Sequence, residues 1–211
     1  MSLPSIILVG GGGHCISCID VILDTQKFHI AGILDVKEKV GTSILDIPVI
    51  GTDEDLANLK SQYDYFIVTV GHIKNSQLRE NLFEKLKKLS LPIPAIVSRQ
   101  AYVSPWSKIG AGTMVMHGVI INAAAQVGEN CIINTNALIE HEVVIADHCH
   151  ISTSAVCNGQ VIVGKGSFVG SNATVKQNVK IGEGVLIGAG SVVLNDVANY
   201  STVVGNPAKK V

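Results

Sequence analysis

The chain has 211 residues, of which 16 are basic and 17 acidic, so its formal net charge is -1 at pH 7. Such a balance supplies no basic surface for nucleic acid or for an anionic membrane, and we expect neither partner. Hydrophobic residues make up 47 % of the chain, yet no apolar run approaches the ~20 residues of a membrane-spanning helix.

Strands and helices alternate in the first part of the chain. Strands are predicted over residues 6–10, 29–34 and 65–70, and helices over residues 15–25 and 77–89, the second with Leu78, Leu82, Leu86 and Leu89 on one face. This order predicts a small α/β, Rossmann-like domain with a parallel sheet over residues 1–95. The apolar start lacks the basic flank and cleavage site of a leader, which favours a cytoplasmic protein.

A glycine cluster, Gly10-Gly11-Gly12-Gly13-His14, joins the first predicted strand to the first helix. Backbone N–H groups at such a junction approach a phosphate, although a tight turn without a ligand is the alternative. Asp35 and Gly71 follow the next predicted strands, and ligands of open parallel sheets collect at that edge. His14 either donates to the phosphate or caps the helix. Cys15 stands where the dinucleotide fingerprint has its third glycine, which favours a mononucleotide-type ligand.

The rest of the chain is a six-residue repeat. From Val103 to Val193 every sixth residue is Ile or Val, except Cys157, and the position four further on is small. Each hexapeptide forms a short strand with an inward β-branched residue, and Gly or Asn accommodates the corner. The repeat predicts a left-handed parallel β-helix over residues 96–211. By resemblance to known hexapeptide-repeat proteins, three strands form one coil of about 18 residues.

One corner of this β-helix carries candidate chemistry. His141 is followed by Glu142, and the residues 18 positions before and after it are Ala123 and Gly159. Small neighbours leave room for a ligand and expose N–H donors, so a general base oriented by a carboxylate is favoured over a solvated corner histidine. His150 either contacts a substrate or supports the site. We expect His117 and His148 on the surface.

The five cysteines suggest packing rather than a bonded framework. Their number is odd, and the Cys15-x-x-Cys18 pair has no second pair to complete a zinc site. We therefore expect free, reduced thiols, with Cys131, Cys149 and Cys157 inside the β-helix, and no metal.

The hexapeptide array, the segment Ile139-Glu140-His141-Glu142, the glycine cluster and the tail Gly205-Asn206-Pro207-Ala208-Lys209 resemble a bacterial acyltransferase family over essentially the whole chain. It contains the sialic acid O-acetyltransferases and the bacillosamine- and perosamine-type nucleotide-amino-sugar N-acetyltransferases. The resemblance implies a homotrimer with active sites between neighbouring β-helices and acetyl-CoA as co-substrate.

Site roles follow by resemblance to the family's motifs. His141 would be the general base, Glu142 would orient it, and the backbone of Gly159 would bind the acetyl carbonyl. His150, Ser171 and Ala189 would line the acetyl-CoA site. Gly13, His14, Asp35 and Gly71 would form the nucleotide-sugar pocket. The chain departs from the family at Cys15, in place of a glycine, and at Val36, in place of a second acid.

The function implied is N-acetylation of the 4-amino group of a UDP-linked 4-amino-4,6-dideoxy sugar, in bacterial surface glycan or glycoprotein sugar synthesis. The alternatives are O-acetylation of sialic acid or a related nonulosonic acid, and a non-catalytic scaffold with a ligand-binding domain. A γ-carbonic anhydrase type of metalloenzyme shares the β-helix. It needs two zinc histidines five residues apart, and no histidine pair in this sequence has that separation.

Overall fold

The computed structural model describes residues 2–211, and its first part is an α/β unit. Its elements are β1 (Ser5–Val9), α1 (Gly13–Thr25), β2 (His29–Leu34), β3 (Ser43–Ile44), β4 (Ile47–Gly51), α2 (Leu56–Leu59), β5 (Tyr65–Val68) and α3 (Gln77–Lys88). The strands form one sheet in the order β3-β4-β2-β1-β5, parallel except for the β3–β4 hairpin. The predicted parallel α/β arrangement is confirmed, with α1 beginning two residues earlier and β5 ending two residues sooner than expected.

The buried face of α3 differs from the prediction. Leu78 is 60 % exposed, whereas the buried residues of the helix are Arg79, Phe83 and Leu86. Both sets of residues recur at helical spacing, so a prediction from hydrophobicity alone assigns the leucines to the buried face. Arg79 is buried instead because backbone carbonyls satisfy its guanidinium group, as described below.

The second part of the chain is the predicted left-handed β-helix. It opens with β6 (Ile96–Val97), and two-residue strands then follow every six residues: β7 (Tyr102–Val103), β8 (Lys108–Ile109), β9 (Met114–Val115), β10 (Ile120–Ile121), β11 (Gln126–Val127), β12 (Ile132–Ile133), β13 (Leu138–Ile139), β14 (Val144–Ile145), β15 (His150–Ile151), β16 (Val156–Cys157), β17 (Ile162–Val163), β18 (Phe168–Val169), β19 (Thr174–Val175), β20 (Lys180–Ile181), β21 (Leu186–Ile187) and β22 (Val192–Val193). The strands β23 (Thr202–Val204) and β24 (Lys209–Lys210) complete it.

The strands stack in parallel with a shift of 18 residues per coil. Ile121 pairs with Val103 below it and with Ile139 above it. This stacking produces three faces. The first face contains β7, β10, β13, β16, β19 and β22; the second contains β8, β11, β14, β17 and β20; the third contains β6, β9, β12, β15, β18, β21 and β23.

The α/β unit covers the lower part of the third face. Helix α1 packs on β6, and the outward-facing side chains of Met114, Ile132 and His150 are buried on this face. The hydrophobic core is continuous from α1 into the β-helix. The first face has no such cover in the single chain, and its outward residues Tyr102 and Ile120 are 56 % and 42 % exposed.

A buried arginine ties the two units together. The Arg79 guanidinium donates to the carbonyl oxygens of Val68 and Val70 at the end of β5, at 2.9 and 2.8 Å. It also donates to the Asn130 carbonyl at 3.0 Å and to the Gly112 carbonyl at 3.4 Å, both on the β-helix. The side chain therefore fixes the carboxyl end of the sheet against two coils.

Two histidines expected on the surface lie elsewhere. His148 is only 5 % exposed, and its Nδ1 atom lies 3.0 Å from the Asn130 amide nitrogen. His117 is half-buried between the units, where its ring contacts Ser98 Oγ at 2.7 Å and Asp20 at 3.0 Å. Both lie at corners that α1 or α3 covers, and the one-dimensional repeat could not indicate which corners would be covered.

The five cysteines are buried and free, as predicted. No helix within residues 2–211 combines the length and apolar character needed to cross a membrane. In the same range no three His, Cys, Asp or Glu side chains converge as a metal site would require.

Candidate active site

His141 and Glu142 form the corner that follows β13. Glu142 adopts a left-handed backbone conformation, with φ 59°, which directs its side chain alongside the preceding histidine. Its Oε2 atom lies 3.1 Å from His141 Nδ1, and the two side chains are 58 % and 53 % exposed. The carboxylate accepts a hydrogen bond from Nδ1–H, which leaves the imidazole lone pair on Nε2.

Gly159 creates the space into which this nitrogen points. A Cβ atom at Gly159 would lie 2.6 Å from His141 Nε2, so glycine at this position lets the imidazole lie against the backbone one coil above. The N–H of the next residue, Gln160, donates to the His141 carbonyl at 3.0 Å. Among the described residues no acceptor takes the Gly159 N–H, which therefore remains available to a ligand beside Nε2.

Two further side chains hold this corner in place. Gln160 donates from Nε2 to the Glu142 carboxylate at 3.2 Å, and Glu140 accepts the backbone N–H of His141 at 3.2 Å. Below the pair, Ala123 and Ala124 are exposed and present almost no side chain. Sequence reasoning missed Gln160, although its position one coil above Glu142 was readable from the 18-residue register.

A groove runs along the corner that follows the third face. It encloses about 430 Å³ and is lined by Ile73, Lys74, His150, Ser152, Phe168, Gly170, Ser171, Leu186, Gly188 and Ala189. The lining is largely apolar, and the Ser152 and Ser171 hydroxyls lie 2.9 Å apart. A Cβ atom at Gly170 would lie 2.6 Å from the Ala189 nitrogen, so the wall is flat at this point. Ser171 and Ala189 thus line one groove with His150.

His150 connects this groove to the α/β unit. Its Nδ1 atom lies 2.7 Å from the His72 carbonyl oxygen, which can only accept, so Nδ1 carries the proton. Its Nε2 atom lies 3.3 Å from the Asn134 amide nitrogen. Burial lowers the pKa of His150 to about 4, more than the His72 carbonyl raises it. The ring is neutral at physiological pH, and both nitrogens are occupied within the single chain.

His14 and His72 complete a buried histidine cluster beside His150. The His72 and His150 rings are 5.5 Å apart, and those of His14 and His150 6.4 Å. Burial, with the nearby charge of Arg79, lowers the pKa of His14 and His72 to about 3. Both nitrogens of His72 and Nε2 of His14 are shielded without a protein partner among the described residues. His14 also packs on Gly71, where a Cβ would lie 3.1 Å from that of His14.

The strand edge that was predicted to bind a nucleotide is open. Asp35 lies at its centre, with Lys39 Nζ 2.6 Å from its carboxylate, and a Cβ at Gly11 would lie 2.5 Å from Asp35 Oδ2. The cavity beside it encloses about 680 Å³ and is lined by Asp35, Val36 and the segments around Lys37 and Thr52. Gly13 is exposed in the first turn of α1. Lys39 was not foreseen, because its approach to Asp35 depends on the turn after β2.

The predicted site residues fall into three groups in one chain. His141, Glu142 and Gly159 share the corner after the first face. His150, Ser171 and Ala189 share the groove at the corner after the third face. Gly13, His14, Asp35 and Gly71 lie at the sheet edge, where His14 and Gly71 adjoin His150. The structure therefore joins the predicted nucleotide edge to the groove, but leaves the histidine–carboxylate pair on a different corner.

Comparisons with known proteins match both parts of the chain. The model of the PglD N-terminal domain matches residues 5–86, and that of the bacterial transferase hexapeptide (six repeats) matches residues 160–195. A search of curated protein sequences finds no significant match.

Several solved structures resemble the whole chain. A variant of perosamine N-acetyltransferase from Caulobacter crescentus, in complex with CoA and GDP-perosamine, is 30 % identical, with a TM-score of 0.93 over 100 % of this chain and 98 % of that one. The acetyltransferase domain of PglB from Neisseria gonorrhoeae, in complex with acetyl coenzyme A, is 28 % identical, with a TM-score of 0.91 over 100 % of both chains. WeeI from Acinetobacter baumannii, 22 % identical with a TM-score of 0.86 over 98 % of this chain and 99 % of that one, shares the fold.

Proposed function

Because the chain belongs to the perosamine- and bacillosamine-type family of hexapeptide-repeat acetyltransferases, we propose that it N-acetylates the 4-amino group of a nucleotide-linked 4-amino-4,6-dideoxy sugar. It is an acetyl-CoA-dependent sugar acetyltransferase. The nucleotide that we propose is UDP. A second candidate is GDP, since the perosamine N-acetyltransferase that resembles this chain was solved with GDP-perosamine.

The observation that carries the proposal is the His141–Glu142 pair facing Gly159. The free Nε2 lone pair of His141 accepts a proton from the acceptor amine while the amine nitrogen attacks the thioester carbonyl carbon. A C–N bond forms, the C–S bond breaks, and the electron pair leaves with the CoA sulfur. The imidazolium, held by Glu142, then returns its proton to the thiolate.

Gly159 would supply the electrostatic contribution to this reaction. Its N–H lies beside the nitrogen that accepts the proton, on a wall without a side chain. An N–H in that position stabilises the negative charge that develops on the carbonyl oxygen of the tetrahedral intermediate. The flat groove lined by Ser171 and Ala189 would hold the pantetheine arm, with Ser152 and Phe168 beside it.

The complete site requires a second copy of the chain, and we propose a homotrimer. The groove and the His141 corner lie on different edges of one β-helix, so a neighbour must supply one of them. The first face, which ends at the His141 corner, presents an outward ladder of largely apolar side chains: Tyr102, Ile120, Leu138, Val156, Thr174 and Val192. Covering this ladder with a neighbour's groove edge would bury apolar surface and bring the two halves of the site together.

We assign acceptor recognition to an N-terminal domain of residues 1–95, which packs on a catalytic domain of residues 96–211. Gly13 and its neighbours place backbone N–H groups at the start of α1, where a pyrophosphate is stabilised. The Asp35 carboxylate at the strand edge would accept hydrogen bonds from hydroxyl groups of the nucleoside. His14 and Gly71 would line the end of this pocket that faces His150.

The test is thiol release from acetyl-CoA with a panel of acceptors: UDP-, GDP- and dTDP-linked 4-amino-4,6-dideoxy sugars and free sialic acid. We expect turnover with a nucleotide-linked amino sugar. His141→Ala should reduce kcat by about 10²–10⁴-fold, whereas His29→Ala, at an exposed strand position, should leave it unchanged. Equal turnover by wild type and His141→Ala would refute the assignment of His141 as the catalytic base. Exclusive turnover of sialic acid would refute the proposal that the acceptor is a nucleotide-linked amino sugar.

A further inference from the structure

The corner column that contains His141 also contains the only tryptophan of the chain. Because Ile120 pairs with both Tyr102 and Leu138, the corners Pro105-Trp106, Ala123-Ala124 and His141-Glu142 occupy equivalent positions in successive coils. Trp106 is 79 % exposed, the largest exposure among the large hydrophobic residues that the structure describes. Its indole therefore lies two coils below the Glu142 carboxylate on the same edge.

The part of this edge between Trp106 below and His141-Glu142 above is called here the corner notch. Neighbouring strands are ~4.8 Å apart, so two coils span about 10 Å. The floor consists of Ala123 and Ala124, which are both exposed. A span of this size is comparable to one hexose ring, with the exposed aromatic residue at one end and the proposed base at the other.

The direction of the acetyl-CoA groove leaves this notch to the acceptor. The groove runs from His150 past Phe168 to Leu186, which are equivalent positions in three successive coils toward the C-terminus. In a rotationally symmetric assembly, equivalent coils of neighbouring chains lie at the same level. The thioester of a neighbour's groove therefore reaches His141 from the C-terminal side, where Gly159 lies. The N-terminal side of His141, where the notch lies, is thereby left open to the acceptor sugar, whose amine then reaches the ring from that side.

We infer that Trp106 is a substrate-binding residue that packs against the acceptor sugar in the corner notch. This inference rests on the proposed function. A 6-deoxy sugar carries a methyl group at C6 and presents an apolar face, and both suit contact with an indole better than a hydroxymethyl group does. Trp106 would thus contribute to selection of deoxy amino sugars and hold the 4-amino group toward His141 Nε2.

A single tryptophan allows the contact to be measured directly. The fluorescence of the wild-type trimer would be titrated with the best nucleotide-linked amino sugar of the acceptor panel, without acetyl-CoA, and separately with the free nucleoside diphosphate. The expected result is a saturable change in indole emission with the sugar nucleotide and a much smaller one with the nucleotide alone. An emission spectrum that neither ligand changes would overturn the inference.

Kinetics of Trp106→Ala give an independent readout. We expect kcat/KM for the deoxy amino sugar to fall about tenfold, with the Kd of CoA unchanged and Trp106→Phe recovering most of the loss. Tyr200→Ala, at an equally exposed aromatic (78 %) on another corner, is the matched control. A monomeric Trp106→Ala protein would instead place the indole in the subunit contact and overturn the inference, as would an unchanged kcat/KM in an active trimer. A wild type that acetylates no sugar overturns the proposed function itself.

Discussion

The Nδ1 atom of His150 lies 2.7 Å from the carbonyl oxygen of His72, and this hydrogen bond joins the groove on the β-helix to the carboxyl edge of the sheet. His72 follows Gly71 at the sheet edge, and the next two residues, Ile73 and Lys74, line the groove that His150 also lines. One short segment thus borders both regions. Since the carbonyl fixes the proton on Nδ1, His150 cannot donate from Nε2 while it is neutral, and we propose that it positions other groups in the reaction.

Replacing Gly159 tests whether the cleared wall is needed. Gly159→Ala should lower kcat/KM by 100-fold or more, because the new Cβ would lie 2.6 Å from His141 Nε2 and would displace the ring from its reactive position. In a His141→Ala background the same change should have almost no further effect, since the colliding ring is gone. The measurement is a double-mutant cycle on kcat/KM. If Gly159→Ala lowers kcat/KM by the same factor with and without the His141 ring, a clash between the new Cβ and the ring is not the cause of the loss.

Removing the Glu142 carboxylate tests how far a neighbouring chain covers the corner. In an isolated chain the pair is more than half exposed, and exposed pairs of this kind contribute only ~0.2–1 kcal/mol. In the proposed trimer, burial against a neighbour would strengthen the interaction, so Glu142→Ala should lower kcat by at least about tenfold, with the KM for acetyl-CoA unchanged.

Gln160→Ala removes a partner of the same carboxylate without touching the ring, and it provides the graded control for Glu142. We expect a loss of about fivefold or less, since a hydrogen bond typically contributes ~1 kcal/mol net. Losses of equal size in the two variants would mean that the carboxylate does not act through His141.

The repeat was predictable because each hexapeptide repeats one local rule, and Ile121, Val103 and Ile139 stack as their spacing indicated. The corner column was predictable for the same reason, since Gly159 and His141 differ by one coil. The burial of Arg79 and His148 was not, because it depends on how the α/β unit sits on the β-helix, and that contact follows no sequence period. The separation of His141 from the groove follows from the same register, since His141 and His150 are nine residues, or half a coil, apart.

Arg79 should contribute strongly to the attachment of the α/β unit. Its guanidinium donates to four carbonyl groups on both units, and hydrogen bonds from a charged donor contribute ~1.5–3 kcal/mol each. Arg79→Ala should lower the free energy of unfolding by at least about 3 kcal/mol, measured by urea denaturation. Arg79→Lys should recover less than half of the lost free energy of unfolding, because an ammonium group cannot span the same acceptors. A loss below about 1 kcal/mol would show that the interface does not depend on this side chain.

The buried histidine cluster predicts that the protein loses stability as the pH falls below about 6.5. The pKa values of His14 and His72 are lowered to about 3, and that of His150 to about 4, chiefly by burial, whereas in the unfolded chain they are near 6.5. Above pH 6.5 all three histidines are neutral in both the folded and the unfolded chain, so they do not change the free energy of unfolding. Below it the unfolded chain binds protons that the folded chain does not, which destabilises the fold until the pH reaches the folded pKa. At pH 5 each histidine lowers the free energy of unfolding by about 2 kcal/mol.

Urea denaturation of wild type and His72→Asn at pH 7.5 and 5.0 measures this effect. The change in the free energy of unfolding between the two pH values should be about one third smaller in the variant than in wild type. An equal change in both proteins would mean that His72 is not buried in its neutral form.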